Sequence, residues 1–136
     1  MSQMAHESQN FTNMIEDRPN IQRYLANKQL GNRSKNDAQR FIGRGFIQLT
    51  GRWNYEWMQK TLGIDLTSTW SNAQRAAEPA IAAEIAVVYW KKRVQPRVDD
   101  YTDTKAVTKP INTGLSGLND REDKFKTIAQ HMNLDV

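Results

Sequence analysis

Residues 43–55 read GRGFIQLTGRWNY and place Gln48, Thr50, Arg52 and Asn54 close together. Amide and hydroxyl side chains donate and accept hydrogen bonds without ionising. That is the chemistry that recognises a polyhydroxylated ligand. Residues 46–50 alternate, a strand-like period of two that turns Ile47 and Leu49 one way and Phe46, Gln48 and Thr50 the other. Gly43 and Gly45 permit close backbone approach, and Gly51 permits a sharp change of direction. The pattern describes the wall of a cleft. It also describes an edge strand with a solvated polar face.

The elements that must position this wall are helical in pattern. "MSQMAHES" sets Met1, Met4 and Ala5 at helical spacing and reads as the end of a helix. Residues 18–40 are polar, are broken by Pro19 and Gly31, and read as loop, most of all in "GNRSKND". Trp53, Trp57, Met58 and Leu62 predict one buried face over Arg52–Leu62, with Gly63 ending the helix. Pro79 suits a first helical position, and Ile81, Ile85, Val88 and Trp90 continue from it. Lys91, Lys92 and Arg93 then fall at the negative end of that helix. A last helix from about Leu118 is expected to bury Phe125, Ile128, Ala129 and Met132 and to carry Asp120, Glu122 and Asp123 in its first turn. The fold class expected is therefore mainly α, with at most a small strand or hairpin element.

Composition narrows the function. The 136 residues suit one domain, spanning 1–136, that buries roughly two-thirds of its unfolded surface. Cysteine is absent, which removes disulfides and thiolate metal sites, and His6 and His131 lie too far apart in sequence to suggest zinc. No cofactor or metal is expected. The net charge of +4 suits an anionic partner, yet no basic run exceeds Lys91-Lys92-Arg93, which argues against nucleic acid. No apolar run approaches the roughly 20 residues of a membrane helix, and the N-terminus shows no basic region followed by an apolar stretch. Stable membrane insertion is not expected.

GRGFIQLTGRWNY resembles the signature of glycoside hydrolase family 19, which holds chitinases and many phage endolysins. Three further pieces match in order. "AHESQNF" resembles the family's "HES-x-x-F" segment, "AVVYWKKR" the aromatic end of a long helix, and "VTKPINTGLSGLNDR" the "V-T-x-x-I-N-G-G-x-x-G-x-x-R" segment. Together they cover nearly the whole chain. The resemblance implies a compact lysozyme-like helical domain that cuts β-1,4 bonds at N-acetylated sugars with inversion. The phage branch fits better than the plant branch, which usually has disulfides and longer loops. Relatives carry several dozen residues of helix before "HES", whereas six residues precede Glu7 here. A short natural variant, an internal gene start or a fragment each accounts for that, and a missing leading helix exposes part of the core.

Inverting hydrolysis needs one protonated carboxyl group for the leaving oxygen and one ionised carboxylate to activate water. The resemblance assigns the acid to Glu7. In several relatives a glutamate follows a tyrosine just upstream of "LGN"; here "RYLANKQLGN" has Leu25 after Tyr24. Glu16 matches an acidic position of other endolysin-like members and is the candidate base, with Asp17 a weaker substitute. Glu16 lies nine residues after Glu7. Nine residues of straight helix span about 13.5 Å and reverse the side chain, while an inverting pair needs about 6.5–9.5 Å. A break must therefore fall between them, and "QNFTN" supplies helix-poor residues for it. The bland alternative for Glu16 is a surface acid paired with Arg18.

By the same resemblance Thr50 orients the attacking water, and Gln48, Asn54 and Asn112 contact sugar. Arg44 and Arg121 either steer an anionic polymer or pair with nearby acids, and the second reading is preferred. Trp53, Trp57, Tyr89 and Trp90 could stack on sugar rings but at helical spacing are core. The expected function is a phage or prophage endolysin acting on peptidoglycan glycan. Its alternatives are a chitinase acting on chitin oligomers and a non-catalytic wall-binding module. A monomer is expected, accumulating in the host bacterial cytoplasm and reaching the wall through a separate membrane-permeabilising protein.

Overall fold

The computed structural model describes residues 1–133. Its helices are α1 (Ser2–Glu7), α2 (Ile21–Ala26), α3 (Lys35–Arg40), α4 (Arg52–Leu62), α5 (Trp70–Gln74), α6 (Pro79–Tyr89), α7 (Thr104–Thr108) and α8 (Leu118–His131). Extended pairing among the described residues is limited to isolated bridges from Arg44 to Ile15 and to Leu49. The chain is mainly α, as the periodicity implied.

Several elements begin and end where the sequence places them. Gly63 closes α4 in the left-handed conformation, Pro79 opens α6, and α8 starts at Leu118. Residues 18–40 depart from the loop expected of them. They form α2, a 3-10 turn (Lys28–Leu30) and α3, each entered through a side-chain cap: Asn20, Asn27 and Ser34 accept from the backbone N–H groups of Arg23, Gln29 and Asp37. A cap satisfies donors that the first turn leaves unpaired. Short helices thus form without an apolar stripe, and α2 buries none of its residues.

Residues 46–50 are not a strand. Arg44 and Leu49 exchange backbone hydrogen bonds of 3.2 and 2.9 Å, and the residues between them make a turn with Gln48 at φ 54°. The alternation survives only in direction. Leu49 is buried and Ile47 packs against the core.

That core gathers Phe41, Tyr55, Met58, Leu66 and Ile85 between α4, α6 and the loops around them. A second cluster of Val94, Val98 and Val107 lies beyond α6, where the chain winds into a π turn over Trp90–Val94. Two residues expected in buried faces are outside: Trp53 is 54% exposed and Met132 57%. Trp53 instead lies over Gly31, where a Cβ would sit 2.2 Å from the indole. Met1, Met4, Phe11, Phe46, Val87 and Trp90 border an apolar cavity of about 380 Å³ where α1 meets α6.

Arg52, which the spacing placed in the cleft wall, is structural. Its guanidinium forks onto Asp37 through bonds of 2.7 and 2.6 Å, and it also reaches Glu56 at 3.1 Å. Gly51, at φ 91°, lets this turn press on Leu30, whose carbonyl oxygen would stand 2.7 Å from a Cβ there. The Arg52 hydrogen bonds hold the Asp37 carboxyl below the usual carboxylate range, against burial. A depressed folded value stabilises the protein above the ordinary carboxylate pKa, and the contribution is lost as pH falls through the folded value. Asp37→Asn should therefore cost about 3 kcal/mol at neutral pH, the scale of breaking a buried pair. Urea unfolding at pH 7 and pH 3 checks this, because the gap between variant and parent must shrink at the lower pH.

Candidate active site

Helix α1 ends at Glu7, and the chain then turns through Gln9, Asn10 and Phe11 at φ 50°, 60° and 65°. Consecutive left-handed residues without glycine are costly. Buried Ser8 holds the turn, its hydroxyl donating to the Met4 carbonyl at 2.6 Å and accepting from the Phe11 N–H at 2.9 Å. This supplies the break expected in "QNFTN", so Glu7 and Glu16 do not share a helix.

Glu7 accepts through Oε1 from the Arg121 guanidinium. Arg121 is 1% exposed and the Glu7 side chain 20%. A second Arg121 nitrogen donates to Gln3 Oε1 at 2.6 Å, and Gln3 in turn donates to the Thr108 hydroxyl at 2.9 Å. Arg121 Nε donates to the Ser116 carbonyl at 3.0 Å. A guanidinium is a planar fork with fixed donor directions, so these bonds set where Glu7 sits at the junction of α1 and α8. The pairing expected for Arg121 is thus present, and its partner is the candidate acid itself. Arg44 differs from expectation: it is in no ion pair among the described residues, donating instead to the Arg40 carbonyl at 2.6 Å and the Tyr55 hydroxyl at 3.0 Å.

Glu16 is not paired with Arg18, which lies 3.9 Å from exposed Asp17. Its carboxylate accepts from the Tyr24 hydroxyl through Oε1 and from the Gly43 N–H at 3.0 Å through Oε2. Burial and then the Glu16 hydrogen bond push the Tyr24 hydroxyl well above its ordinary pKa, so it remains a donor. The space that a side chain on Gly43 would fill is walled by three oxygens: Gln48 Oε1 at 2.9 Å, and Glu16 Oε2 and Thr50 Oγ1 at 3.2 Å each. The reason for glycine at position 43 is therefore room beside the carboxylate.

Glu7, Gln48, Thr50, Asn54 and Asn112 line one cleft of about 300 Å³, together with Leu30, Ile47, Leu49, Tyr89 and Ile111. Glu16 is outside that lining but adjoins it through Gln48 and Thr50. The polar atoms left to a ligand follow from the bonds already made. Thr50 donates to the Gln48 carbonyl at 2.8 Å and keeps its acceptor lone pairs. Asn54 donates one amide hydrogen to the Thr50 carbonyl at 2.8 Å and keeps its oxygen and its second hydrogen. Asn112 accepts from the Gly114 N–H at 3.1 Å, which leaves its amide hydrogens to donate. Gln48 donates to the Gly45 carbonyl at 3.0 Å, so its role is to shape the turn as much as to face the cleft.

Gln3, Tyr24 and Gly43 were not legible as site residues. Gln3 lies on the turn before Glu7, Tyr24 is eight residues from its partner, and a glycine carries no functional group. Among the described residues no cluster of His, Cys, Asp and Glu is placed to hold a metal ion.

A protein of Haemophilus influenzae described as a "Glycosyl hydrolase family 19 domain-containing protein" is 32% identical over 91 residues, or 67% of this chain. Chitinase C from Streptomyces griseus superposes with a TM-score of 0.73 at 20% identity, covering 98% of this chain and 69% of the chitinase. A bacterial family 19 chitinase superposes with a TM-score of 0.71 at 19% identity, covering 98% of this chain and 72% of its own. The fold is that of glycoside hydrolase family 19. The chain spans 42% of the length of the Haemophilus relative. No family model matches it.

On this family 19 frame the room at Gly43 makes a specific expectation. Gly43→Ala drives a methyl group against Gln48, Glu16 and Thr50, which are side-chain ends that can move. Stability should fall by less than about 1.5 kcal/mol, whereas any activity that needs Glu16 and Thr50 together should fall at least about tenfold, since misplacement by 1 Å costs up to 10²-fold. Thermal unfolding beside a glycan-hydrolysis assay separates the two effects.

Proposed function

We propose that the protein is a glycoside hydrolase that inverts the anomeric carbon of a β-1,4-linked N-acetylated glycan. In this reading Glu7 delivers a proton from Oε2 to the leaving glycosidic oxygen. Glu16 takes a proton from a water that Thr50 orients through its free lone pairs. The water oxygen bonds to the anomeric carbon, the carbon–oxygen bond to the leaving sugar breaks, and that sugar departs as an alcohol. Asn54 and Asn112 hold the sugars as acceptor and donor. The observation that supports it is the placing of a cleft-lining carboxyl group at Glu7 and a second, Glu16, held beside Thr50 at the cleft's edge.

The substrate proposed is bacterial peptidoglycan glycan, with the protein acting as a phage or prophage endolysin and a monomer. It is proposed to be released from the host cytoplasm by a separate membrane-permeabilising protein. A chitinase acting on chitin oligomers is the second reading, favoured by the structural neighbours, which are described as chitinases. Turbidity loss of permeabilised Gram-negative cells, run beside hydrolysis of soluble chitin, tests both. Clearing without chitin cleavage is the expected result. Chitin cleavage without clearing supports the second reading, and glycan binding with neither reaction makes the protein a wall-binding module.

A further inference from the structure

A second cavity, of about 460 Å³, is lined by Arg93, Arg97, Ala106, Lys109, Pro110 and Thr113. Three cations line it, and no carboxylate is among the described residues that do. None of the three is in an ion pair among the described residues, although Arg121, Arg52 and Lys124 all are. Arg93 is set by the π turn and stacked over the Trp57 ring at 4.6 Å from its centroid. Arg97 donates one nitrogen to the Arg93 carbonyl at 2.6 Å, which leaves the rest of its fork free.

The position of this cavity matters more than its charge. Ile111 and Asn112 line the Glu7 cleft, while Pro110 and Thr113 line the cationic cavity, so residues 110–113 are a shared wall. The Tyr89 hydroxyl donates across to the Pro110 carbonyl at 3.3 Å and itself lines the Glu7 cleft. Burial raises the Tyr89 pKa, opposed by Arg93 and Arg97 and reinforced by Glu7.

We infer that Arg93, Arg97 and Lys109 form a carboxylate subsite beside the glycan cleft, which takes an acidic substituent carried by a sugar bound at Asn112. A neutral N-acetylated glycan fills the cleft alone. A glycan whose sugars bear carboxylate branches fills both cavities, and its charge is met by a guanidinium fork and an ammonium group. A concave cationic site also concentrates anionic ligand near the cleft before binding. The subsite thus selects acidic cell-wall glycan over neutral chitin-type oligomers. This rests on reading the Glu7 cleft as the glycan site.

Calorimetric titration with three ligands tests it: a soluble peptidoglycan fragment with free carboxylates, the same fragment with its carboxylates converted to amides, and a neutral N-acetylglucosamine oligomer. The parent protein should bind the acidic fragment at least about tenfold more tightly than the amidated one, the scale of one charge-assisted hydrogen bond. Combining Arg97→Gln with Lys109→Gln should erase that preference, and Arg97→Lys alone should retain most of it. Equal affinity of the parent for the acidic and amidated fragments overturns the inference. So does a preference that survives the double substitution. The two readings fail differently. Binding of the acidic fragment that Asn112→Ala leaves unchanged removes the cleft reading and the inference with it, whereas binding that Asn112→Ala weakens, with no preference for the acidic over the amidated fragment, keeps the cleft and removes the subsite.

Discussion

Glu7→Gln should lower glycan hydrolysis by at least about 10²-fold, the usual scale of a positioned general acid. The amide keeps a carbonyl oxygen for Arg121 but has no proton that it can transfer to a leaving oxygen. Because the change is close to isosteric, the sequence alone suggests an unaffected fold. The structure alters that expectation. Arg121 is almost wholly buried, and Glu7 is the carboxylate it is paired with among the described residues. Gln3 and Ser116 still accept from it, so the loss of stability should be moderate, about 2 kcal/mol, below the cost of stranding a fully buried charge. Rates must accordingly be compared well below the variant's unfolding temperature. Retention of more than half the parental rate would remove Glu7 from the mechanism.

Glu16→Gln should abolish turnover, by about 10²-fold or more, with little effect on folding. The reason lies in its two partners. The Gly43 N–H can only donate, but a tyrosine hydroxyl both donates and accepts. A glutamine at position 16 can therefore turn its oxygen to Gly43 and its amide hydrogens to Tyr24, keeping both bonds. What it loses is the ability to take a proton from water. Glycan affinity should be unchanged, because Glu16 is not among the residues that line the cleft. An acid and a base acting together give a bell-shaped activity–pH curve in the parent. A folded Glu16→Gln protein that lyses cells at the parental rate would rule Glu16 out and leave Asp17 or a water held by Thr50 to serve as base. Asp17 is poorly placed for that, since it is exposed and faces Arg18.

Glu7 and Glu16 show how little of a candidate site residue is written in its local sequence. Neither has an informative local context: Glu7 is assigned by resemblance to the family's HES segment, and Glu16, outside the matched motifs, by an acidic position of endolysin-like members. Local rules read the close of α4 and the starts of α6 and α8 correctly, because glycine, proline and an acidic first turn act through nearest neighbours. The same rules missed α2 and α3, whose stability comes from single capping side chains in a polar stretch. They also misread residues 46–50, where a period of two arose from a turn pinned by one pair of backbone hydrogen bonds.

What the sequence determined by itself was the helical class, the bounds of α4, the starts of α6 and α8, and, with the family resemblance, the group of polar residues, Gln48, Thr50, Asn54 and Asn112, that line one cleft. These depend on local conformation and on motif identity, both of which are written along the chain. Only the tertiary structure decided which partners meet. Arg121 reaches Glu7 across 114 positions, Tyr24 and Gly43 clasp Glu16 from two segments, and residues 110–113 divide the cleft from a cationic cavity. Such encounters follow from how separate segments pack, α1 against α8 and α2 against α3 among them, and side-chain chemistry at long separation leaves no periodic trace in the sequence that carries it.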